Sequence, residues 1–429
     1  MSIDLWHKNL EYVKDIHNLK NSKFGKLSLG AKDKNERAIE IGKFSNCLIA
    51  GENKHYPSTL LYDTIRNKLF SPIDEKVMSL NSSSPHNESD KSFNTDKICD
   101  KVVRQPVFFF SYNVDNYFHF VYDTLPYLFH YFHLKKYIPE LKLLTNYSGP
   151  FINRHYNFVE ECLGLLDIKK SDILICDTNS IYSEIYIGSS LTHGGLSNSP
   201  PRKEIFEVYK KLTDKCKNTE NKSYDKIYIS RRTWVNGKSK DIGTDYTNRR
   251  VCINEDEIAK KYIDKGYKEI FCENLSMKEK IKMFRNASFI AGTIGGGFVN
   301  LLFSDSNVKV QCIDSPGFFK VNNRFKYSIS HTDISHFNNT SFTDDDTFKV
   351  NTRVKFFKDD KIFLGEVEKK CKNDFYMIRY LDRGVAGWNS SDNFNYCILH
   401  KDKMEPIGFG LNSPWKVDME MFEKFAEDK

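Results

Sequence analysis

Apolar positions in the second half of the chain change rhythm repeatedly, between runs that alternate and runs that return every three or four residues. The alternating runs are IYIS at 227–230, VCI at 251–253, YKEIF at 267–271, SFIAGT at 288–293 and KVQCID at 309–314. Between them lie helix-period segments, EDEIAKKYIDKG at 255–266 closing on Gly266 and KEKIKMFRNA introduced by Ser276 and Glu279 as a capping box. Strands spaced by about 20 residues with helices between them predict βαβ units and a parallel sheet. Residues 201–345 therefore read as a Rossmann-like lobe.

The first half is also α/β in pattern, but less regular. Strands are predicted at 38–44 (AIEIGKF), 102–112 (VVRQPVFFFSY), 172–177 (DILICD) and 183–188 (SEIYIG). A helix is predicted over 59–70 (TLLYDTIRNKLF) and a long aromatic helix from about Asp115. The run at 79–97 is polar and rich in turn formers, and predicts a mobile, protease-sensitive loop within a lobe spanning 1–200. Residues 346–411 lose the helical period: V-x-F-x-x-D-x-x-x-x-G-E-V followed by Y-x-x-R-Y reads as a small all-β barrel of SH3 or Tudor type. A charged helix at 412–429 closes the chain.

Composition narrows the class. The chain has 429 residues, more than one hydrophobic core usually serves, and 40% of them are hydrophobic, which excludes disorder. A formal charge of +7, from 64 basic and 57 acidic residues, suits an anionic small ligand as well as nucleic acid. The ten cysteines form no CxxC pair, so they read as reduced thiols rather than zinc ligands or disulfides. No secretory signal and no apolar run long enough for a membrane span is apparent, and a cytoplasmic location is expected.

Three constellations carry candidate chemistry. In Asn116-Tyr117-Phe-His119-Phe-Val-Tyr-Asp123, a helix capped by Asp115 or Asn116 puts His119 in its first turn and Asp123 one turn on. A helix N-terminus favours neutral imidazole, so His119 can accept a proton while Asp123 orients it; alternatively His119 merely packs and Asp123 caps a neighbour. Tyr228-Ile-Ser-Arg231-Arg232 ends a strand in two guanidinium groups at the sheet edge where ligands of parallel sheets bind, and their planar forks suit a diphosphate. Arg249-Arg250 forms a second pair; either pair can equally be a solvated surface charge. The run Gly292-Thr-Ile-Gly295-Gly296-Gly297-Phe-Val-Asn300 is a strand–turn–helix unit whose bare backbone can approach phosphate.

Other acidic and imidazole groups carry blander readings. Asn254 with Glu257 makes a capping box, which is favoured over Glu255 reaching a ribose or sugar. Asp344-Asp345-Asp346 offers a D-x-D metal pattern but sits in a polar linker, and His130 with His133 lacks a third ligand, so no metal site is expected. A dehydrogenase is disfavoured because the glycines come late in the lobe rather than in its first βα turn.

Taken in order, the blocks N-Y-F-H-F-V-Y-D-T-L-P, Y-I-S-R-R, N-R-R-V-x-I-N-E-D-E, LSMKEKIKMFRNA and G-T-I-G-G-G-F-V-N-L-L-F make residues 105–335 resemble glycosyltransferase family 61. The resemblance implies a GT-B architecture of two Rossmann-like lobes, an inverting reaction, and usually no metal in the chemistry. It implies a nucleotide-sugar co-substrate with no other cofactor, UDP-xylose and UDP-N-acetylglucosamine being the preferred donors, and a hydroxyl of a glycan or protein as acceptor. By position, Arg231 and Arg232 approach the donor diphosphate, and Gly295, Gly296, Gly297 and Asn300 line its pocket; Arg250 and Glu255 are donor-side candidates from the residues alone. Asn116 and Tyr117 lie with His119 and Asp123 on the acceptor side. One departure is Ile294, where many relatives have histidine.

The barrel is not part of that pattern and is a candidate for recruiting a protein partner. It also supports a reading from another class, a non-catalytic nucleic-acid or peptide binder whose recognition surface is Phe356, Phe357, Tyr380 and Trp388. Nucleic acid is the less expected partner, since the charge excess is mild.

Overall fold

Short strands assemble, in the computed structural model, into three principal sheets. The residues described are 25–28, 39–50, 60–63, 68–70, 101–110, 113–148, 153–177, 179–192, 200–216, 224–232, 250–316, 318, 323–342, 353–359, 361–381, 394–406 and 414–427.

The first sheet holds nine strands: β1 (Gly25–Ser28), β2 (Glu40–Ala50), β3 (Leu60–Asp63), β4 (Lys68–Phe70), β5 (Lys101–Val103), β6 (Val107–Phe109), β7 (Lys142–Thr145), β8 (Ile173–Ile175) and β9 (Ser180–Gly188). Its order is β4-β3-β2-β9-β6-β7-β8, with β1 on β2 and β5 on β9. Strands β9, β6, β7 and β8 run parallel, while β2 pairs antiparallel with β9, and β1 and β3 pair antiparallel with β2. The wholly parallel sheet expected of this half is thus corrected to a mixed one. The helix predicted at 59–70 is corrected too: β3 and β4 form an antiparallel pair in register Leu61↔Phe70, and β3 adds to the edge of β2. Backbone pairing across that edge outweighs the weak local helical preference. Pro106 divides the predicted strand at 102–112 into β5 and β6.

The second sheet is fully parallel: β10 (Lys226–Ile229), β11 (Lys268–Ile270), β12 (Phe289–Thr293), β13 (Lys309–Ile313) and β14 (Asp333–Phe337), in the order β11-β10-β12-β13-β14. This is a doubly wound order, whose topological switch point falls between the paired strands β10 and β12 at their C-terminal ends. The predicted strand VCI does not join it; Cys252 makes only an isolated bridge to Trp415.

A small antiparallel pair joins β15 (Thr340–Phe342) to β21 (Trp415–Val417). Between them in sequence, β16 (Arg353–Lys358), β17 (Lys361–Lys370), β18 (Phe375–Tyr380), β19 (Asn395–His400) and β20 (Met404–Pro406) form an antiparallel sheet ordered β19-β18-β17-β16-β20. Among the described residues this antiparallel sheet forms a half-barrel. Because β21 and the final helix return to the second sheet, this unit is an insertion rather than an appended tail. Trp415, fully buried, donates its indole Nε1–H to the Arg250 carbonyl at 3.0 Å, and with Tyr228, Ile258, Tyr262, Ile313, Phe337 and Phe422 it forms the core on one face of the second sheet.

The opposite face shares a continuous apolar core with the first sheet, running from Ile41 and Phe108 through Leu163 and Leu212 to Phe284, Phe298 and Phe325. That shared core fixes the two sheets against each other. The contact is made by α1 (Tyr117–His119), α3 (Asn157–Leu165) and α4 (Ile205–Lys215) on the first side, where α2 (Leu128–Lys135) packs on α4. The second side supplies α6 (Met277–Asn286), which follows α5 (Glu255–Asp264), and α7 (Asn323–Ile329). Helix α8 (Met419–Glu427) ends the described chain.

Candidate functional site

The long aromatic helix predicted from Asp115 is instead a broken one. Helix α1 is a single turn, followed by a π turn at Phe120–Thr124, a 3₁₀ turn at Leu125–Tyr127 and then α2, because Pro126 cannot supply the amide that a continuous α-helix needs. Asn116 caps the first turn as expected, its side chain accepting from the His119 amide at 3.3 Å. His119 Nδ1 then stands 2.6 Å from Asp123 Oδ2. Asp123 is 3% exposed and His119 23%, so the carboxylate is shielded while the imidazole edge reaches solvent. Such an asymmetry is what an imidazole base oriented by a carboxylate would require. A second donor comes from the other side: Arg324 Nη1 lies 3.1 Å from the same Oδ2. Arg324 was missed by the sequence reading, since nothing local distinguishes it from any charged helix residue.

The second sheet contributes the other half of the site. Strand β10 ends at Ile229, and the Arg231 backbone N–H donates to Glu255 Oε1 at 2.8 Å. The same oxygen accepts from the Thr293 hydroxyl at 2.9 Å and the Tyr228 hydroxyl at 3.3 Å, tying β10, the end of β12 and α5 together. Glu255 is fully buried, and burial raises its pKa, opposed by the amide and charge of Arg231. Its Oε2 has no hydrogen-bond partner among the described residues. The capping box expected from Asn254 and Glu257 is absent; Asn254 instead grips Val417, accepting at 3.0 Å and donating at 2.9 Å. Tertiary pairing with β21 has claimed the cap side chain.

Gly295 is required by its neighbour. A Cβ there would stand 2.0 Å from Arg231 Nη1, so the bare turn is the space the guanidinium occupies. Arg231 Nε is buried, and desolvation lowers the arginine's pKa against the raising influence of Glu255 and Glu273. Gly296 faces open space. Gly297 lies against Ile229 and Cys272 and begins, with Gly296, the 3₁₀ turn Gly296–Phe303. Asn300, fully buried on that turn, donates to the Gly297 carbonyl at 2.8 Å and accepts from the Tyr117 hydroxyl at 2.5 Å. Tyr117 belongs to the dyad's own turn, so α1 and the glycine turn pack face to face.

Three further groups lie at or beside this seam and were not singled out from sequence. Glu161 Oε2 accepts from the Met277 amide at 2.5 Å, putting a first-side carboxylate on the N-terminus of α6. The Lys280 ammonium, on a buried side chain, lies 4.4 Å from the Tyr117 ring centroid, and burial lowers its pKa. Glu273, at the end of β11, has its pKa raised by burial. The Ser276–Glu279 capping box expected for α6 is present, with bonds of 2.8 and 3.3 Å.

Not every expected residue joins this group. Arg232 is held by Glu269 through bonds of 2.8 to 3.0 Å and by Asp256 at 2.5 Å, so its fork is spent on carboxylates. The Arg250 guanidinium stacks 4.7 Å above the Phe318 ring. Asp344, Asp345, Asp346, Arg249, Trp388 and the loop at 79–97 lie outside the described residues. His130 is fully buried with Nε2 2.9 Å from the Ser189 carbonyl, and His133 Nδ1 lies 2.7 Å from the Phe129 carbonyl, so both serve local packing. Phe356 and Tyr380 are buried with Phe363 in the core of the antiparallel unit, which removes them from any recognition surface; Phe357 is 64% exposed. Among the described residues no helix is long and apolar enough to cross a membrane.

With this geometry in view, residues 117–311 match the sequence profile of the family Glycosyltransferase 61, a little under half of the chain. The matched span begins at the dyad's turn and ends in β13, so it contains the Arg231–Glu255 group and the glycine turn. It supports a glycosyltransferase and lends nothing to a non-catalytic binding protein. No curated protein matches the chain.

Proposed function

We propose that this protein is an inverting glycosyltransferase of the two-lobed GT-B kind, moving a sugar from a nucleotide-sugar donor, preferably a UDP-sugar, to a hydroxyl of a glycan or protein acceptor. The observation that carries this reading is the packing of the His119 turn against the glycine turn that covers Arg231.

The donor diphosphate is assigned to the C-terminal edge of the second sheet, with Arg231 and the backbone of the Gly295–Gly297 turn facing its charge. The acceptor hydroxyl belongs on the His119 side. His119 Nε2 takes its proton as the oxygen forms a bond to the anomeric carbon, the bond from that carbon to the phosphate oxygen breaks, and the nucleoside diphosphate leaves against Arg231. Asp123 holds Nδ1–H and stabilises the imidazolium. Arg232, held by Glu269 and Asp256, acts on the donor only indirectly, and Arg250, stacked on Phe318, is not assigned a direct contact with it.

The test is a panel of UDP-, GDP- and CMP-sugars, scored by thermal shift and by hydrolysis of the donor. A nucleotide sugar that stabilises the protein and is slowly hydrolysed is the expected result. Silence of the whole panel in both assays would overturn the proposal.

A further inference from the structure

The acid of the His119–Asp123 pair is held from both sides of the seam. Asp123 Oδ2 faces His119 Nδ1 at 2.6 Å and accepts from Arg324 Nη1 at 3.1 Å, although Arg324 is 201 positions away and sits on α7 beside the second sheet. The next residue strengthens the grip: the Phe325 ring stacks on Phe118 with centroids 5.1 Å apart and planes inclined by 13°. Two successive residues of α7 therefore clasp the turn that carries His119.

We propose that Arg324 is a positioning residue for proton transfer, completing the Asp123–His119 base from the second side of the seam. This rests on the reading of His119 as the base. A carboxylate that receives a guanidinium stays ionised, and an ionised Asp123 holds the proton of His119 on Nδ1, leaving Nε2 as the acceptor. Without Arg324, Asp123 keeps its charge beside the ring with less compensation, so the imidazolium is favoured and the free base is less available.

Among the described residues, the charged groups recorded at the His119–Asp123 pair are Asp123 itself and Arg324 on α7. The third element packed there, the Gly296–Phe303 turn, carries no ionisable side chain. Behind the turn, the Tyr209 hydroxyl donates to the Val121 carbonyl at 2.8 Å, and burial keeps it protonated.

The experiment compares Arg324→Ala and Arg324→Lys in the full chain. The first readout is the titration of His119 by NMR of 13C-labelled histidine, assigned with His119→Ala. The second is kcat and donor KM with whichever nucleotide sugar the panel identifies. In Arg324→Ala the His119 midpoint should rise by about one pH unit. The kcat should fall roughly tenfold or more, with donor KM changed by less than about twofold and part of the loss restored by added guanidinium ion. Arg324→Lys, which keeps a charge, should fall between. A moved titration without any transferase activity would sink the glycosyltransferase reading and leave the positioning role standing. An unmoved titration in both variants would overturn the role of Arg324.

Discussion

Arg231 fills the space that a side chain at Gly295 would need, its Nη1 standing 2.0 Å from where a Cβ would be. The relationship is reciprocal: the turn is bare so that a cation can lie beneath it, and the cation is held at the sheet edge because the turn closes over it. Glu255, receiving the Arg231 amide at 2.8 Å, fixes the backbone from below.

Gly295→Ala should therefore damage the site more than the fold. The far end of Arg231 can swing aside, so the melting temperature should change little, whereas affinity for the stabilising nucleotide sugar should fall by roughly tenfold or more. Gly296→Ala is the control, since a Cβ there meets nothing within 4 Å. Equal donor affinity in the two variants, by calorimetry or thermal shift, would refute the assignment of Arg231.

The dyad makes a separate demand on turnover. His119→Ala should lower kcat by about 100-fold or more while leaving donor affinity close to wild type. Asp123→Asn should lose a large part of the same activity, because an amide allows the wrong tautomer on His119. Full transfer in the double variant, in a steady-state assay, would remove both residues from the mechanism.

Glu255 is expected to be mainly structural in its energetics. Glu255→Ala leaves the Tyr228 hydroxyl, the Thr293 hydroxyl and the Arg231 amide without their shared acceptor, and should cost about 2 to 4 kcal/mol in urea unfolding. Glu255→Gln, which keeps an accepting oxygen, should lose clearly less. Similar losses for the two variants would mean that the shared oxygen is not the source of the stability.

His130 sets part of the acid sensitivity. Burial pulls its pKa from 6.5 down to about 3, so the unfolded chain binds the proton more readily. Its contribution to stability is complete above pH 6.5 and declines as pH falls towards 3. Between pH 7 and 4.5 this amounts to about 2 to 3 kcal/mol. His130→Gln, whose amide nitrogen can still reach the Ser189 carbonyl, should flatten the fall in urea midpoint over that range. The half-buried His133 and His331 and the buried His155 are shifted in the same direction and should preserve the remaining slope. An unchanged slope in the variant would contradict the assignment.

Much of the second sheet was legible because its signals are local. The strands at 227–230, 267–271, 288–293 and 309–314, the helix closing on Gly266 and the Ser276–Glu279 box each depend on residues within a few positions of one another. The i,i+4 placement of His119 and Asp123 was legible for the same reason, even though the helix carrying them is broken by Pro126.

What the sequence by itself determined, then, is the order of the elements and the chemical repertoire at strand ends. Tertiary structure decided which of those groups are spent and which are kept. Arg231 and Arg232 are adjacent and chemically alike, yet one lies under a glycine and the other is spent on Glu269 and Asp256. Asn254 was drawn from its helix by Val417, the segment at 60–70 became a hairpin against β2, and Arg324 reached Asp123 across 201 positions. The physical reason is common to all of these. A buried polar group must find a partner wherever the fold brings one, and that partner's position along the chain leaves no trace in the local pattern.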